Sequence, residues 1–102
     1  MNNPENLISA YSDELVKLGE ENKELMVLDA DLIKDCGLYQ FKTKYPDRFV
    51  ECGIAEQDMV SASGGLALQG KLPIAHSFAC FLSDRPNEHI YNNATEKTKI
   101  IY

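Results

Sequence analysis

Apolar residues recur at helical spacing near the amino terminus. Leu7, Ile8, Tyr11, Leu15 and Leu18 fall on one stripe. Asn3 suits the cap of such a helix and Pro4 its first turn, while Gly19 reads as a stop, so the spacing predicts a helix over 4–18. The pattern then changes. "ELMVLDADL" holds a short apolar run, Leu25 to Leu28, that ends in Asp29 and Asp31. A buried parallel strand whose carboxyl end opens onto a crevice has this form. In "CGLYQFKTKYPDRF", Leu38 and Phe41 predict a short helix that Tyr45-Pro46 stops. "RFVEC" is a second strand, Ala55 to Gln69 a second long helix, and "KLPIAHS" a third strand. Phe78 to Tyr91 is a third long helix, in which Pro86 allows a kink or a break. "KTKIIY" begins a fourth strand. Helices and strands alternate throughout, which predicts an α/β fold with a mainly parallel sheet flanked by helices. Residues 1–102 form a single domain with no internal repeat. The closing strand has no following helix to cover its face, the pattern expected of the first part of a domain or of a chain that needs a partner.

Composition narrows the function classes. A chain of 102 residues suits one small domain. The net charge is -6 and the few Lys and Arg are scattered, so the basic face of a nucleic-acid binder is not expected. No apolar run approaches the roughly 20 residues needed to span a bilayer. The first residues, "MNNPENLISAYSDEL", resemble neither a signal peptide nor a basic transit peptide. Cys36, Cys52 and Cys80 are odd in number and form no CxxC, so neither a disulfide framework nor a metal site is expected and a cytoplasmic setting fits. They read as small buried hydrophobes, and His76 and His89 as surface or turn residues.

Chemistry is expected at the carboxyl ends of the strands. Three segments lie there: Asp29-Ala30-Asp31-Leu32, Gly53-Ile54-Ala55-Glu56-Gln57 and His76-Ser77-Phe78-Ala79-Cys80-Phe81. Each has an ordinary reading. Glu56 is a favourable charge in a helix's first turn, Phe78 and Phe81 at i and i+3 are core residues, and Asp29 and Asp31 are solvated strand-end acids. Gly64-Gly65 inside a helix costs roughly 1 kcal/mol per glycine against alanine, which close helix packing at an interface would offset.

The ordered set "LDADL", "GIAEQ" followed by Met59 and a small-residue helix, and "SFACFLSDR" resembles the pyrimidine-binding domain of transketolase and its thiamine diphosphate-dependent relatives, over about residues 25–102. The resemblance implies a Rossmann-like three-layer fold, of which this chain holds the first part. It implies that Glu56 hydrogen-bonds the pyrimidine ring nitrogen of thiamine diphosphate, which favours the imino tautomer that takes the proton from the thiazolium carbon, and that the cofactor then acts as electron sink. Phe81 would stack on the pyrimidine and Phe78 line the same pocket. Leu32 would wedge the cofactor into a bent shape, and Asp31 would lie near it and near a subunit contact. A positive helix end favours an ionised Glu56 and burial between aromatic rings the protonated form, and the implied task needs a carboxyl that can share a proton.

The resemblance also implies a partner. The family's GDG motif followed by an asparagine, which holds the diphosphate through magnesium or calcium, does not occur in this sequence. A diphosphate-binding subunit would supply it in a homodimer or heterotetramer. Alone, the chain is expected to bind thiamine diphosphate weakly and not to turn over. The implied reaction is transfer of a two-carbon ketol unit between sugars or sugar phosphates, with 1-deoxyxylulose 5-phosphate synthesis or 2-oxo acid decarboxylation as related alternatives. Asp35 and Cys36 stand where relatives often carry a small hydroxyl residue facing a phosphate, and Asp35 would repel one. A non-catalytic remnant or interaction module of the same fold is the rival of a different class. A nucleotide-binding domain ranks last, since no GxGxxG or GxxxxGK[ST] loop follows a strand.

Overall fold

Three short parallel strands form the centre: β1 (Leu25–Asp29), β2 (Phe49–Glu51) and β3 (Leu72–His76) lie in the order β2-β1-β3. The computed structural model describes residues 4–102, and the expected Asn3 cap lies outside them. The helices are α1 (Pro4–Glu21), α2 (Tyr39–Lys44), α3 (Glu56–Leu68), α4 (Ala79–Leu82) and α5 (Asn87–Thr95), with one 3-10 turn at Pro46–Arg48. Parallel strands need crossovers, and these place helices on both faces of the sheet. On one face Leu25, Val27 and Ile74 pack with Leu15 of α1, Phe41 of α2 and Leu38 just before it. On the other, Leu28 and Ala75 pack with Met59 and Val60 of α3 and Leu82 of α4. Alternate residues of β1 thus enter opposite cores, which is why its sequence is apolar throughout rather than alternating.

Several expectations change. Helix α1 runs through Gly19 to Glu21. A side chain at Gly19 would collide with the Phe41 and Tyr45 rings, so the glycine serves close packing rather than termination. Of the predicted α1 stripe only Leu15 is fully buried, and Leu7, Ile8, Tyr11 and Leu18 remain exposed. The helix is about 27 Å long and the five-residue strands about 17 Å, so α1 overhangs the sheet. The single helix expected over 78–91 is two, α4 and α5, separated at Ser83–Pro86. Pro86 has no N–H to continue the ladder and caps the second helix instead. The expected fourth strand is present as a bridge: Ile101 N–H donates to Pro73 O (3.0 Å) and Ala75 N–H donates to Ile101 O (2.8 Å), in parallel sense beside β3.

The two glycines inside α3 differ. Gly64 faces α5, where an added Cβ would strike the Asn93 side chain, whose Nδ2 donates to Val60 O at 2.8 Å. A Cβ added at Gly65 would meet nothing within 4 Å among the described residues. Gly64→Ala is therefore expected to destabilise the fold by about 1–3 kcal/mol through overpacking, whereas Gly65→Ala should stabilise it by about 0.5–1 kcal/mol through helix propensity. Urea unfolding of the two variants checks this, and equal effects would contradict the packing difference.

Candidate functional site

The strand register brings three polar residues into line. Asp29 at the end of β1 is paired with Glu51 of β2 on one side and His76 of β3 on the other. Residues at matched positions of parallel strands point to one face, here that of α1 and α2. Asp29 is fully buried, so it is not the solvated acid its sequence position suggested. Its Oδ2 accepts from Leu32 N–H (2.7 Å) and its Oδ1 has no partner among the described residues. Burial raises the Asp29 pKa to about 6, and the neighbouring Glu51 carboxylate adds to the rise against the Leu32 hydrogen bond. His76 is also mostly enclosed rather than a surface residue. Burial lowers its pKa to about 4, and its Nε2 is hydrogen-bonded to the Tyr11 hydroxyl. Burial raises the Tyr11 hydroxyl to about 12 and the Cys36 thiol to about 11. Cys36 and Cys52 are half-buried, but Cys80 is exposed and does not act as the small core residue expected of it.

Glu51 ties two loops together. Its Oε1 accepts from Asp31 N–H (2.9 Å) and from Gly53 N–H (2.8 Å). The first loop carries Asp31 and Leu32, and the second leads into Glu56. Asp31 adopts φ 64° and Gly53 φ 73°. The left-handed conformation is costly for a residue with a side chain, and the Glu51 and Asp29 carboxyls on the flanking N–H groups hold it there.

These loops and the turn after β3 meet around a cleft of about 330 Å³, lined by Ala30, Asp31, Leu32, Ile54, Glu56, Phe81 and Arg85. It brings together four of the five residues singled out in the sequence, Asp31, Leu32, Glu56 and Phe81. The fifth, Phe78, stands outside the lining. It is exposed, lies at the cap position of α4 rather than within a helix, and packs its ring 5.8 Å from that of Phe81. A second cleft of about 400 Å³, lined by Ala55, Gln57 and Asp58 among others, shares Ile54, Glu56 and Arg85 with the first.

Glu56 begins α3 and its side chain is 4% exposed. A buried carboxylate needs a partner. Here Arg85 Nη1 donates to Glu56 Oε1, and the same guanidinium sits 4.1 Å over the centroid of the Phe81 ring. Sequence reasoning missed Arg85. Its signal was the four-residue spacing from Phe81, which on a helical turn places one side chain over the other, and Arg85 N–H does donate to Phe81 O (3.1 Å). Gln57 Nε2 donates to Arg85 O (3.1 Å), fixing that turn to the start of α3. Among the described residues, no group of three or more His, Cys, Asp or Glu is placed to hold a metal ion, and no helix is long and apolar enough to cross a membrane.

The family model of the transketolase pyrimidine-binding domain matches residues 5–102. The chain belongs to this family. Relatives of this pyrimidine-binding domain include a 1-deoxy-D-xylulose-5-phosphate synthase of Corynebacterium glutamicum, 41% identical over 74% of this chain and 12% of the relative. A putative transketolase C-terminal section of Methanocaldococcus jannaschii is 42% identical over 80% of this chain and 26% of the relative. A solved structure described as a split gene transketolase, inactive beta4 tetramer, superimposes with a TM-score of 0.80 and 41% identity, covering 90% of this chain and 31% of that one. The transketolase-like chain thus spans between about an eighth and a third of the length of these relatives.

The buried Asp29 carries a pH test. The native state holds its proton to about pH 6, while the unfolded chain releases it near 3.8. The stability this contributes is complete below about pH 4 and lost as pH rises through 6. Asp29→Asn keeps an oxygen for the Leu32 N–H, and relative to wild type it should gain on the order of 1–3 kcal/mol between about pH 4 and about pH 7. His76 works in the opposite sense, with stability present above 6.5 and lost as pH falls towards 4. It is common to both proteins and cancels in the difference. Urea unfolding at the two pH values reads the effect, and a pH-independent difference would contradict it.

Proposed function

We propose that this domain supplies the pyrimidine half of a thiamine diphosphate site in a transketolase-like enzyme built from more than one chain. The observation that carries the reading is the Glu56 carboxyl, buried beside the face of the Phe81 ring that Arg85 covers. The two already hold a planar, hydrogen-bonding cation between them in the form of Arg85. That is the chemistry needed to hold an aminopyrimidine: a carboxyl facing a ring nitrogen and an aromatic face for stacking. Leu32, held by the Asp29 hydrogen bond to its N–H, is the apolar wall against which a bent cofactor would rest. Asp31 lies at the rim, and Phe78 backs Phe81. Bound there, thiamine diphosphate supplies an electron sink for breaking a bond beside a carbonyl. Glu56 holds or shares the proton at the ring nitrogen, and Leu32 and Phe81 orient the ring.

The diphosphate half, with magnesium or calcium, is assigned to a partner subunit, in a homodimer or heterotetramer. Support comes from the relatives, among them a 6-deoxy-6-sulfo-D-fructose transketolase subunit of a Clostridium species, 35% identical over 78% of this chain, and the inactive tetramer described for the split gene transketolase. The reaction we assign is ketol transfer between sugars. The identity to 1-deoxy-D-xylulose-5-phosphate synthases favours a second reading, in which a 2-oxo acid is the donor.

Mixing the chain with a partner that carries the diphosphate motif, thiamine diphosphate and magnesium should give turnover that neither chain gives alone. A ketose donor and a 2-oxo acid donor offered separately distinguish the two readings. Glu56→Ala should lower joint turnover by roughly 100-fold or more, the usual scale for a positioned acid or base. Full activity of the Glu56→Ala assembly would overturn the assignment.

A further inference from the structure

A site built around a buried acid has to manage that charge while it stands empty. Glu56 is almost wholly enclosed, and the chain is acidic, with Asp31 and Asp58 lining the two adjoining clefts. Leaving the carboxylate unpaired there is costly. The cation that pairs it is not a fixed part of the wall. The Arg85 side chain is 48% exposed, and its described side-chain contacts are with Glu56 and the Phe81 ring. Its backbone, by contrast, is held at both ends, through its N–H to Phe81 and its carbonyl from Gln57. The side chain can leave for solvent without moving the turn. It also lines both clefts, together with Ile54 and Glu56.

We propose that the Arg85 guanidinium is an internal stand-in for the cofactor's pyrimidine and must swing out before the pyrimidine enters. The proposal rests on the reading of this cleft as a pyrimidine site. The two groups make the same pair of contacts. A guanidinium is flat, stacks on an aromatic face and donates N–H groups in its own plane to a carboxylate. An aminopyrimidine is also flat and stacks on the same face, and it meets the same carboxyl in its plane. Both cannot occupy the Glu56–Phe81 pair together. Arg85 therefore keeps the empty site neutral and dry, and lowers the apparent affinity of the free chain in proportion to the time it spends inside. A partner that draws Arg85 outward would open the site as it assembles.

Thiamine, which carries the pyrimidine without the diphosphate, isolates this step. Its affinity for the wild-type chain, Arg85→Ala and Arg85→Gln is measured by NMR titration, with urea unfolding to establish that each variant is folded. Both variants should bind thiamine roughly three- to tenfold more tightly than wild type, the gain expected from removing a competitor that fills most of the sites. Methylguanidinium should compete with thiamine in Arg85→Ala, and roughly three- to tenfold more of it should be needed for the same competition in wild type. Weaker thiamine binding by the two variants would overturn the stand-in, with Arg85 instead holding the ligand, and equal binding would overturn it with Arg85 taking no part; both results leave the pyrimidine site intact. If methylguanidinium binds Arg85→Ala but thiamine binds none of the three proteins, the pyrimidine reading falls and the stand-in falls with it.

Discussion

A carboxylate enclosed at the start of a helix constrains everything around it. Glu56 is placed by the turn from β2 into α3, and its side chain has almost no access to water. Such a group is tolerated only with a cation, a proton or a hydrogen-bonding ligand in place. Arg85 meets that need in this chain, and the neighbouring aromatic face makes the need specific. The group that sits opposite Glu56 also lies over the Phe81 ring. A flat heterocycle with polar edges satisfies both conditions.

The fold delivers this arrangement through the ends of its strands. A parallel sheet covered on both faces leaves its carboxyl edge as the natural place for a cleft. The three loops there are not independent. Glu51 fastens the Asp31 loop to the Gly53 turn through one oxygen, and Asp29 holds Leu32 from below. Gln57 then joins α3 to the Arg85 turn. Asp29 is an expensive device, a buried acid whose proton is held to about pH 6. It stands where its oxygen fixes the wall of the cleft.

Much of this was legible in the chain because it rests on local patterns. The alternation of apolar runs with helical stripes gives the layers, and Asp31, Leu32, Glu56 and Phe81 follow strand ends closely enough in sequence to be assigned to one edge. What was not legible depends on contacts between distant segments. Arg85 reaches Glu56 across 29 positions, and Glu51 reaches Asp31 across 20. A strand-end glutamate looks the same in sequence whether it faces water or clasps two loops. Gly19 read as a helix stop because glycine often is one, and only the Phe41 and Tyr45 rings above it show why a side chain is excluded. Likewise, Pro86 allowed either a kink or a break, and the turn through Arg85 is what made it a break.

The most direct measurement is a backbone NMR titration of the chain with thiamine. If the Glu56 cleft takes the pyrimidine, the perturbed amides will cluster at residues 30–32, 53–57 and 78–85, and Glu56→Gln will abolish the pattern. Perturbations confined to α1 or to the outer face of α5, or a pattern unchanged in Glu56→Gln, would contradict it.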